Sequence, residues 1–260
     1  MPHLLNVWPS VSKQFRRADV SLLLFDFDGT LSPIAARPDL AVLPAETRDL
    51  LLEARSDDRY VLGIVSGRSL VDLRERVGID GLIYAGNHGL EIQGNGLDFL
   101  HPEASCLMEE MDRIYQGLEL VLGSYPGVIG ENKGLSLSLH YRQTPLEIAP
   151  QVEEGFHKAV AAAAESGLVK ITRGKQVLEV RPNLDWGKGR AISQIQAAHP
   201  EAQLTAFFGD DLTDEDGFTV VQQSAGIAVL VGPPGQPTRA EYRLDSPQEV
   251  AETLRLLLQL

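Results

Sequence analysis

Two pairs of aspartates each stand at the end of a short apolar segment that has the pattern of a buried strand. They are Asp26 with Asp28, and Asp210 with Asp211. In an open α/β sheet, ligands bind beyond the carboxyl ends of the strands. Mg²⁺ prefers oxygen ligands and commonly takes one or two carboxylates together with phosphate oxygens. These strand ends therefore offer the hard oxygen ligands that a Mg²⁺ site needs.

Local alternatives explain part of this acidic pattern. An Asp-Gly pair is common in turns, which accounts for Asp28 but not for Asp26. A helix capped by Thr213 would account for the acidic residues that follow it, because the helix dipole favours negative charge in the first turn. Neither alternative covers Asp210 and Asp211.

Two further segments offer groups that could bind an anion. Ser66 and Arg68 directly follow another predicted strand, where the hydroxyl can donate to a phosphoryl oxygen and the guanidinium can pair with a phosphate or a carboxylate. Lys188 stands at a predicted helix start, where the dipole disfavours a cation by roughly 0.3–1 kcal/mol. A lysine in this position is a candidate for neutralising a phosphate or an aspartate. Taken alone, this segment is also consistent with a solvated surface lysine.

The composition limits the class of protein that positions these residues. The chain has 260 residues, 43% of them hydrophobic, which predicts one or two folded domains and excludes disorder as the main state. The net charge of -13 argues against electrostatic binding to nucleic acid or to an anionic membrane. No apolar run approaches the ~20 residues of a membrane-spanning helix, and we see no secretory signal at the N-terminus. The single cysteine, Cys106, excludes an intrachain disulfide and fits a reducing compartment, so we expect a cytoplasmic protein.

Short apolar segments alternate with helical patterns towards both ends of the chain. The spacing predicts strands over residues 20–25, 60–65, 82–85, 204–208 and 226–231, and helices from about residue 44, over 69–77, over 188–198 and from residue 246. Ser246 and Glu249 have the spacing of a capping box at the start of the last helix. This alternation is typical of an α/β fold with a Rossmann-like, doubly wound parallel sheet.

The middle of the chain has a different pattern. Helical patterns over 103–122 and 146–166 alternate with a strict period-two strand over 135–141 and with one or two further strands over 168–180. We expect a small α+β cap domain, residues 100–182, inserted into a core that is formed by residues 1–99 and 183–260.

Taken in order, the four polar segments resemble the motifs of the haloacid dehalogenase-like phosphohydrolases. That pattern combines an Asp-x-Asp-x-Thr loop, a strand-terminal Ser or Thr, a helix-start Lys and an acidic loop. The resemblance implies that Asp26 attacks phosphorus and forms an aspartyl-phosphate, while Asp28 protonates the leaving oxygen and then activates water. It also implies that Ser66 and Lys188 hold the phosphoryl group.

The same resemblance implies which residues would hold the metal. Mg²⁺ would be bound by the side chains of Asp26 and Asp210 and by the backbone carbonyl of Asp28. Asp211 or Asp214 would orient Lys188 or a metal-bound water, and we take Asp211 as the catalytic candidate.

Further segments resemble the trehalose-6-phosphate phosphatase family. They lie at residues 85–91, 130–136, 140–142, 177–182 and 209–216. The resemblance implies hydrolysis of trehalose 6-phosphate to trehalose and phosphate. Sugar hydroxyls both donate and accept hydrogen bonds, and a site built to pair with them rejects analogues that lack them. The candidate substrate-binding residues are Arg68, Asn87, His88, Glu131, Lys133, Arg142 and Glu179.

Other functions stay open on the sequence. The nearest is the same chemistry on another sugar phosphate, such as sucrose phosphate or mannosylglycerate phosphate. A mutase or phosphotransferase would keep the aspartyl-phosphate away from water, and a non-catalytic sensor would bind the sugar phosphate without turnover. The expected partner is a small sugar phosphate. A trehalose-phosphate synthase is left open as a protein partner, and a monomer is favoured.

Overall fold

The computed structural model describes residues 1–174 and 176–260. The chain divides into two compact units, which we call the core unit and the insert unit. The core unit is formed by residues 1–99 and 186–260, and the insert unit by residues 100–185. The insert unit therefore extends slightly beyond the range of 100–182 expected from the sequence.

The strands are short and follow the apolar segments of the sequence. In chain order they are β1 (Ser21–Phe25), β2 (Tyr60–Val65), β3 (Ile83–Gly86), β4 (Glu91–Gly94), β5 (Leu97–Leu100), β6 (Ile129–Asn132), β7 (Leu137–His140), β8 (Val169–Gly174), β9 (Val177–Pro182), β10 (Leu204–Gly209), β11 (Ile227–Val231) and β12 (Tyr242–Leu244).

The helices lie between these strands. They are α1 (Trp8–Phe15), α2 (Ala45–Arg55), α3 (Leu70–Val77), α4 (Pro102–Ser105), α5 (Met108–Leu122), α6 (Ala149–Glu165), α7 (Lys188–Ala198), α8 (Glu215–Gln223) and α9 (Pro247–Leu258). Within the described residues, none of them is long and apolar enough to cross a membrane.

A mostly parallel sheet forms the centre of the core unit. Its strand order is β12-β11-β10-β1-β2-β3-β4-β5. β1 pairs in parallel with both β10 and β2, and the parallel pairing extends to β12 on one side and to β3 on the other. β4 returns antiparallel to β3. This arrangement confirms the predicted α/β fold with a parallel sheet.

Both faces of this sheet are covered, which explains why its strands are continuous apolar runs. Side chains alternate along a strand, so Leu23 of β1 joins an apolar cluster with α2 and α9, whereas Leu24 joins a second cluster with α7 and α8. Both leucines are fully buried. Burying one such side chain contributes about 1.5–3 kcal/mol.

The insert unit contains an antiparallel sheet with strand order β6-β7-β9-β8. The period-two pattern of β7 has the predicted effect. Leu137 and Leu139 pack into a cluster with α5 and α6, and Ser138 alternates with them along the strand. These elements form the α+β insert that the sequence predicted.

Several details differ from the sequence-based expectations. The helix predicted over 103–122 is two helices, α4 and α5, because Leu107 leaves the helical region with φ -97° and ψ 1°. β6 and the β4–β5 pair were not predicted. The predicted capping box of α9 is wrong, because the Ser246 side chain makes no capping hydrogen bond in the described structure and the Glu249 carboxylate accepts the N–H of Asp245 instead.

Candidate active site

The ends of β1 and β10 bring the two aspartate segments together. Phe25 and Phe208 are paired across these parallel strands, and the Asp26 N–H donates to the Phe208 carbonyl at 2.8 Å. Gly29 then turns the chain with φ +89°, and a Cβ at this position would overlap the Asp210 carboxylate. Glycine is required there because it accepts the left-handed conformation and leaves room for the carboxylate.

Lys188 connects the carboxylates of this site. It is the first residue of α7, and its Nζ donates to Asp26 Oδ1 at 2.6 Å and to Asp214 Oδ1 at 2.7 Å. All three side chains are buried. Two carboxylates thus offset the unfavourable position of a cation at a helix start.

Burial and charge act in opposite directions on Lys188. Burial lowers the pKa of its ammonium group, but the charges of Asp214 and Asp26 and their hydrogen bonds outweigh this effect. The net result is a pKa above the ordinary lysine value, so Lys188 is a permanent cation in this site.

Asp214 is the residue that holds Lys188 in place. Its second oxygen, Oδ2, accepts the N–H groups of Asp210 and Asp211, each at 3.0 Å. Of the two candidates for orienting Lys188, Asp211 and Asp214, it is Asp214 that contacts the lysine.

Asp211, the residue taken as the catalytic candidate, has a local structural contact. Its side chain accepts the Leu212 N–H at 2.8 Å and caps a short 3₁₀ helix, Leu212–Asp214. The cap predicted at Thr213 is therefore wrong, since this 3₁₀ turn precedes α8 and Asp211 provides the cap.

The carboxylates at this site fit a divalent cation. Asp26, Asp210 and Asp214 each offer an oxygen, and these oxygens lie within 4.8 Å of one another. Because both Asp214 oxygens already accept hydrogen bonds, Asp26 and Asp210 are the better candidates for ligands.

The charge of the site supports the same conclusion. Burial raises the pKa of the Asp26 carboxyl well above its ordinary value, the Lys188 charge opposes this, and the neighbouring carboxylates add to the rise. A second cation would stabilise the ionised form of Asp26. A hard, oxygen-preferring ion such as Mg²⁺ suits this set of donors.

Arg68 binds the other aspartate of the N-terminal pair. Its Nε and Nη2 donate to the two oxygens of Asp28 at 2.6 and 2.7 Å, and its Nη1 donates to Asp72 at 2.7 Å. The guanidinium also donates to the Pro38 carbonyl and lies over the ring of Phe27. A bidentate pair of this kind fixes the carboxylate in one orientation.

Arg68 and Asp28 differ in how far their side chains are buried. Burial lowers the pKa of Arg68, but the hydrogen bonds and charges of Asp28 and Asp72 outweigh it and raise the pKa above the ordinary value. The Asp28 side chain is 38% exposed, whereas that of Arg68 is 8% exposed. Asp28 is thus accessible to a ligand, and Arg68 lies behind it.

Ser66 and the predicted Asn87 and His88 lie at the neighbouring strand ends. Ser66 is buried after β2, and its N–H donates to the Ala85 carbonyl at 2.9 Å. Asn87 is fully buried, and its amide donates to Glu91 Oε1 at 2.7 Å. These positions favour a role for Asn87 in holding the loop. Its partner Glu91 ends the segment 85–91 that carries the family resemblance, but it was not among the candidate site residues.

Two of the polar residues predicted in the insert unit, Glu131 and Glu179, lie in one row across its sheet. The strand register aligns Glu131 with Ser138, Ser138 with Glu179, and Glu179 with Thr172. Neighbouring residues on paired strands lie on the same face of a sheet. This row lies on the face opposite to the apolar residues of β7.

Glu179 is the centre of this polar row. Its Oε1 accepts Lys133 Nζ at 3.1 Å, and its Oε2 accepts the Thr172 hydroxyl at 3.3 Å. Glu131 makes a separate contact with His140 at 3.1 Å. Arg142 follows β7 and is half-buried. The structure thus joins Lys133 to Glu179, and it places Glu131 in the same row as Glu179 with Ser138 between them.

Residues 24–248 match the trehalose-phosphatase family. The chain belongs to this family. It is 34% identical over 247 residues to the trehalose-phosphate phosphatase of Mycobacterium tuberculosis, covering 92% of this chain and 61% of that protein. It is 33% identical over 266 residues to the rice (Oryza sativa subsp. japonica) protein named "Probable trehalose-phosphate phosphatase 4", covering 99% of this chain and 71% of that protein.

A solved structure agrees with this membership of the trehalose-phosphatase family. The C-terminal domain of Candida albicans trehalose-6-phosphate phosphatase is 26% identical, with a TM-score of 0.86, covering 100% of this chain and 98% of that one. The family resemblance predicted from the sequence is thereby confirmed. The chain spans about three fifths of the length of the mycobacterial relatives, at 61%.

Proposed function

We propose that this trehalose-phosphatase family member is a phosphatase that hydrolyses trehalose 6-phosphate to trehalose and phosphate at the Asp26 site. The observation that carries the proposal is the buried contact of Lys188 with Asp26 and Asp214, next to Asp210. A permanent cation against a buried carboxylate offsets the repulsion between that carboxylate and an incoming phosphate. The curated relatives named above, which are called trehalose-phosphate phosphatases, support the choice of substrate.

In the first half of the reaction, a carboxylate oxygen of Asp26 forms a bond to phosphorus while the bond from phosphorus to the sugar oxygen breaks. Asp28 donates a proton to that leaving oxygen, which departs as a hydroxyl of trehalose. Lys188 and Ser66 hold the phosphoryl oxygens during the transfer. The product on the enzyme is an aspartyl-phosphate.

In the second half, Asp28 takes a proton from a water molecule that attacks the phosphorus of the aspartyl-phosphate. The bond between phosphorus and Asp26 breaks, and inorganic phosphate leaves with the Asp26 carboxylate restored. One carboxyl group thus acts as acid and then as base. Arg68, which the sequence assigned to the substrate, orients Asp28 for both proton transfers through its bidentate contact.

The side chains of Asp26 and Asp210 and the Asp28 carbonyl would hold Mg²⁺. When bound, the ion offsets the negative charge that the phosphoryl group and the attacking carboxylate bring together. The close approach of three carboxylate oxygens to one another supports this assignment, because a divalent cation relieves their mutual repulsion.

We further propose that the insert unit acts as the cap and reads the sugar. Glu131, Lys133, Arg142 and Glu179 are the candidate contacts. The buried ion pair between Lys133 and Glu179 offers both a donor and an acceptor, which a sugar hydroxyl needs. A sugar phosphate that lacks a matching hydroxyl would leave this pair incompletely bonded and would bind weakly.

The test is a phosphate-release assay on trehalose 6-phosphate, sucrose phosphate and mannosylglycerate phosphate, with and without Mg²⁺. We expect release from trehalose 6-phosphate to be fastest, to require Mg²⁺, and to be abolished in Asp26→Asn. Asp58→Asn, at an exposed aspartate, is the matched control and should retain activity.

Other outcomes would favour the alternative functions. Preference for another sugar phosphate would change the substrate. Isomerisation of the sugar phosphate without phosphate release would indicate a mutase. Binding without turnover in the unmodified chain would indicate a sensor and would overturn the catalytic proposal.

A further inference from the structure

We infer that the turn Asn87–Gly89 is a positioning element that sets the distance between the two groups that hold the phosphoryl oxygens, Ser66 and Lys188. The inference rests on the proposed function, because it concerns the same site. It also gives Asn87 and His88 a different role from the sugar contact that the sequence suggested.

The turn is bonded to the loop that carries Ser66. The His88 N–H donates to the Ser66 carbonyl at 2.8 Å, and the Asn87 N–H donates to the Arg68 carbonyl at 2.7 Å. These bonds connect backbone to backbone on both sides of Gly67. The conformation of residues 66–68 therefore depends on the conformation of the turn.

The His88 ring reinforces this connection by packing on Gly67. A Cβ at Gly67 would lie 2.7 Å from two atoms of the imidazole, which is closer than any ordinary van der Waals contact. His88 is 6% exposed. The ring thus fills the space that a side chain at residue 67 would take, and holds the loop from one side.

The other end of the turn contacts the helix that carries Lys188. A Cβ at Gly89 would overlap the Cβ of Ala191, in the first turn of α7. The Gly89 carbonyl accepts the indole N–H of Trp186 at 2.9 Å, and the Trp186 ring stacks on Phe99 at 5.4 Å. The turn therefore lies against the segment that leads into Lys188.

The backbone conformation of the turn shows that it is held by its surroundings. Asn87 and His88 have φ +49° and +57°, a region that non-glycine residues rarely adopt. Such conformations persist where neighbouring groups fix them. Glu91 provides one such fixation, since its Oε1 accepts both the Asn87 amide at 2.7 Å and the Leu70 N–H of α3 at 2.8 Å.

Two roles for His88, sugar binding and positioning of the turn, can be distinguished by experiment. If it reads the sugar, its loss should affect trehalose 6-phosphate and leave a substrate without sugar unchanged. If the turn positions Ser66 and Lys188, its disturbance should weaken every interaction with a phosphoryl group, whatever the leaving group. The two roles therefore predict different patterns across substrates and inhibitors.

The first experiment compares Gly89→Ala with Gly96→Ala. Both glycines have positive φ, +86° and +81°, so both variants place a side chain in the left-handed region, but among the described residues no atom lies within 4 Å of a Cβ at Gly96. The comparison isolates the contact with α7. Since a displacement near 1 Å can cost ~100-fold in rate, we expect Gly89→Ala to lower kcat at least about tenfold on both trehalose 6-phosphate and p-nitrophenyl phosphate. Gly96→Ala should stay within about twofold of the unmodified protein.

The second experiment is a rescue. Gly67→Ala should lower kcat on both substrates because its Cβ meets the imidazole, and adding His88→Ala should restore part of the loss by removing the ring. His88→Ala alone should weaken inhibition by orthovanadate. Unfolding midpoints of all variants would show that they remain folded under the assay conditions.

The affinity for orthovanadate, measured by calorimetry, tests the role of the turn without relying on turnover. If the unmodified chain lacks phosphatase activity, the proposed function fails while orthovanadate affinity still tests the turn. Equal effects of Gly89→Ala and Gly96→Ala on that affinity would overturn the inference. A His88→Ala variant that loses activity on trehalose 6-phosphate alone would overturn it as well.

Discussion

Replacing Asp214 by asparagine should damage both the stability and the chemistry of the site. Asp214 is fully buried and accepts three hydrogen bonds, from Lys188 and from the N–H groups of Asp210 and Asp211. An asparagine of the same shape has one acceptor oxygen and one donor NH₂ group. In either orientation of the amide, the NH₂ group faces a donor, so Asn cannot reproduce this arrangement.

The expected magnitude follows from these contacts. Removing one partner of a buried ion pair costs about 3–5 kcal/mol, because the other charge is left insufficiently paired. Lys188 keeps Asp26 as a partner, which places the expected loss in the free energy of unfolding near the lower end, at about 3 kcal/mol. Lys188 and the Asp210 backbone would also lose their common anchor, and misplacement of catalytic groups by about 1 Å can lower the rate ~100-fold.

Urea unfolding and steady-state phosphate release would measure the two effects of Asp214→Asn. Asp211→Asn is the matched control, because it makes the same substitution at the half-exposed cap of the 3₁₀ helix and should cost no more than about 1 kcal/mol. If Asp214→Asn were as stable and as active as Asp211→Asn, Asp214 would not be the residue that fixes Lys188.

Three further changes test other parts of the structure. Arg68→Lys replaces the bidentate contact with Asp28 by a single point charge, so kcat on trehalose 6-phosphate should fall about tenfold or more. The loss of kcat on p-nitrophenyl phosphate should be smaller, because its leaving group needs little protonation. Equal losses on the two substrates would contradict this role of Arg68. Glu179→Gln weakens the ion pair with Lys133, so KM for trehalose 6-phosphate should rise while KM and kcat for p-nitrophenyl phosphate stay unchanged. The same change in KM for both substrates would show that Glu179 does not bind the sugar. Burial raises the pKa of Tyr84 to about 12, above the pKa of tyrosine in an unfolded chain. The contribution of Tyr84 to the free energy of unfolding is therefore complete below pH ~10 and is lost as the pH rises towards 12. The difference in unfolding free energy between the unmodified protein and Tyr84→Phe should therefore change in favour of the variant over that range, and a constant difference would show that Tyr84 ionises normally.

The strand ends of the core unit could be predicted from sequence because two independent signals coincide there. Continuous apolar runs mark strands that are buried on both faces, and Asp26 and Asp210 follow two such runs directly. The register of neighbouring parallel strands then brings the two residues together without further information.

The choice between Asp211 and Asp214 could not be made in this way. Within a run of acidic residues, spacing alone does not fix the direction of each side chain. A 3₁₀ turn after β10 returns Asp214 to the end of the strand, where it accepts the N–H groups of Asp210 and Asp211. The turn itself is held by local hydrogen bonds between Asp211 and Asp214, but the contact of Asp214 with Lys188, 26 residues away, is tertiary and cannot be read from the acidic segment.

The partner of Arg68 and the strand β6 escaped prediction for different reasons. A guanidinium binds phosphate and carboxylate equally well, so only the position of Asp28 in the structure decides between them. β6 contains Gly130 and Asn132, residue types that are depleted in strands, and it is held by pairing with β7. The contact of Arg68 with Asp28 spans 40 residues, whereas β6 pairs with the next strand of the chain.

The central position of β1 also has a consequence for protein synthesis. Its two neighbours are β2, which the ribosome makes soon afterwards, and β10, which it makes only after the whole insert unit. Until residues 204–209 leave the exit tunnel, one edge of β1 has no strand to pair with, and such edges promote aggregation. The insert unit is continuous in sequence, so it can fold during translation before the sheet of the core unit is complete. That sheet is completed only when β10, β11 and β12 have been made. We therefore expect nascent chains that are stalled before residue 204 to depend on chaperones more strongly than the finished protein does.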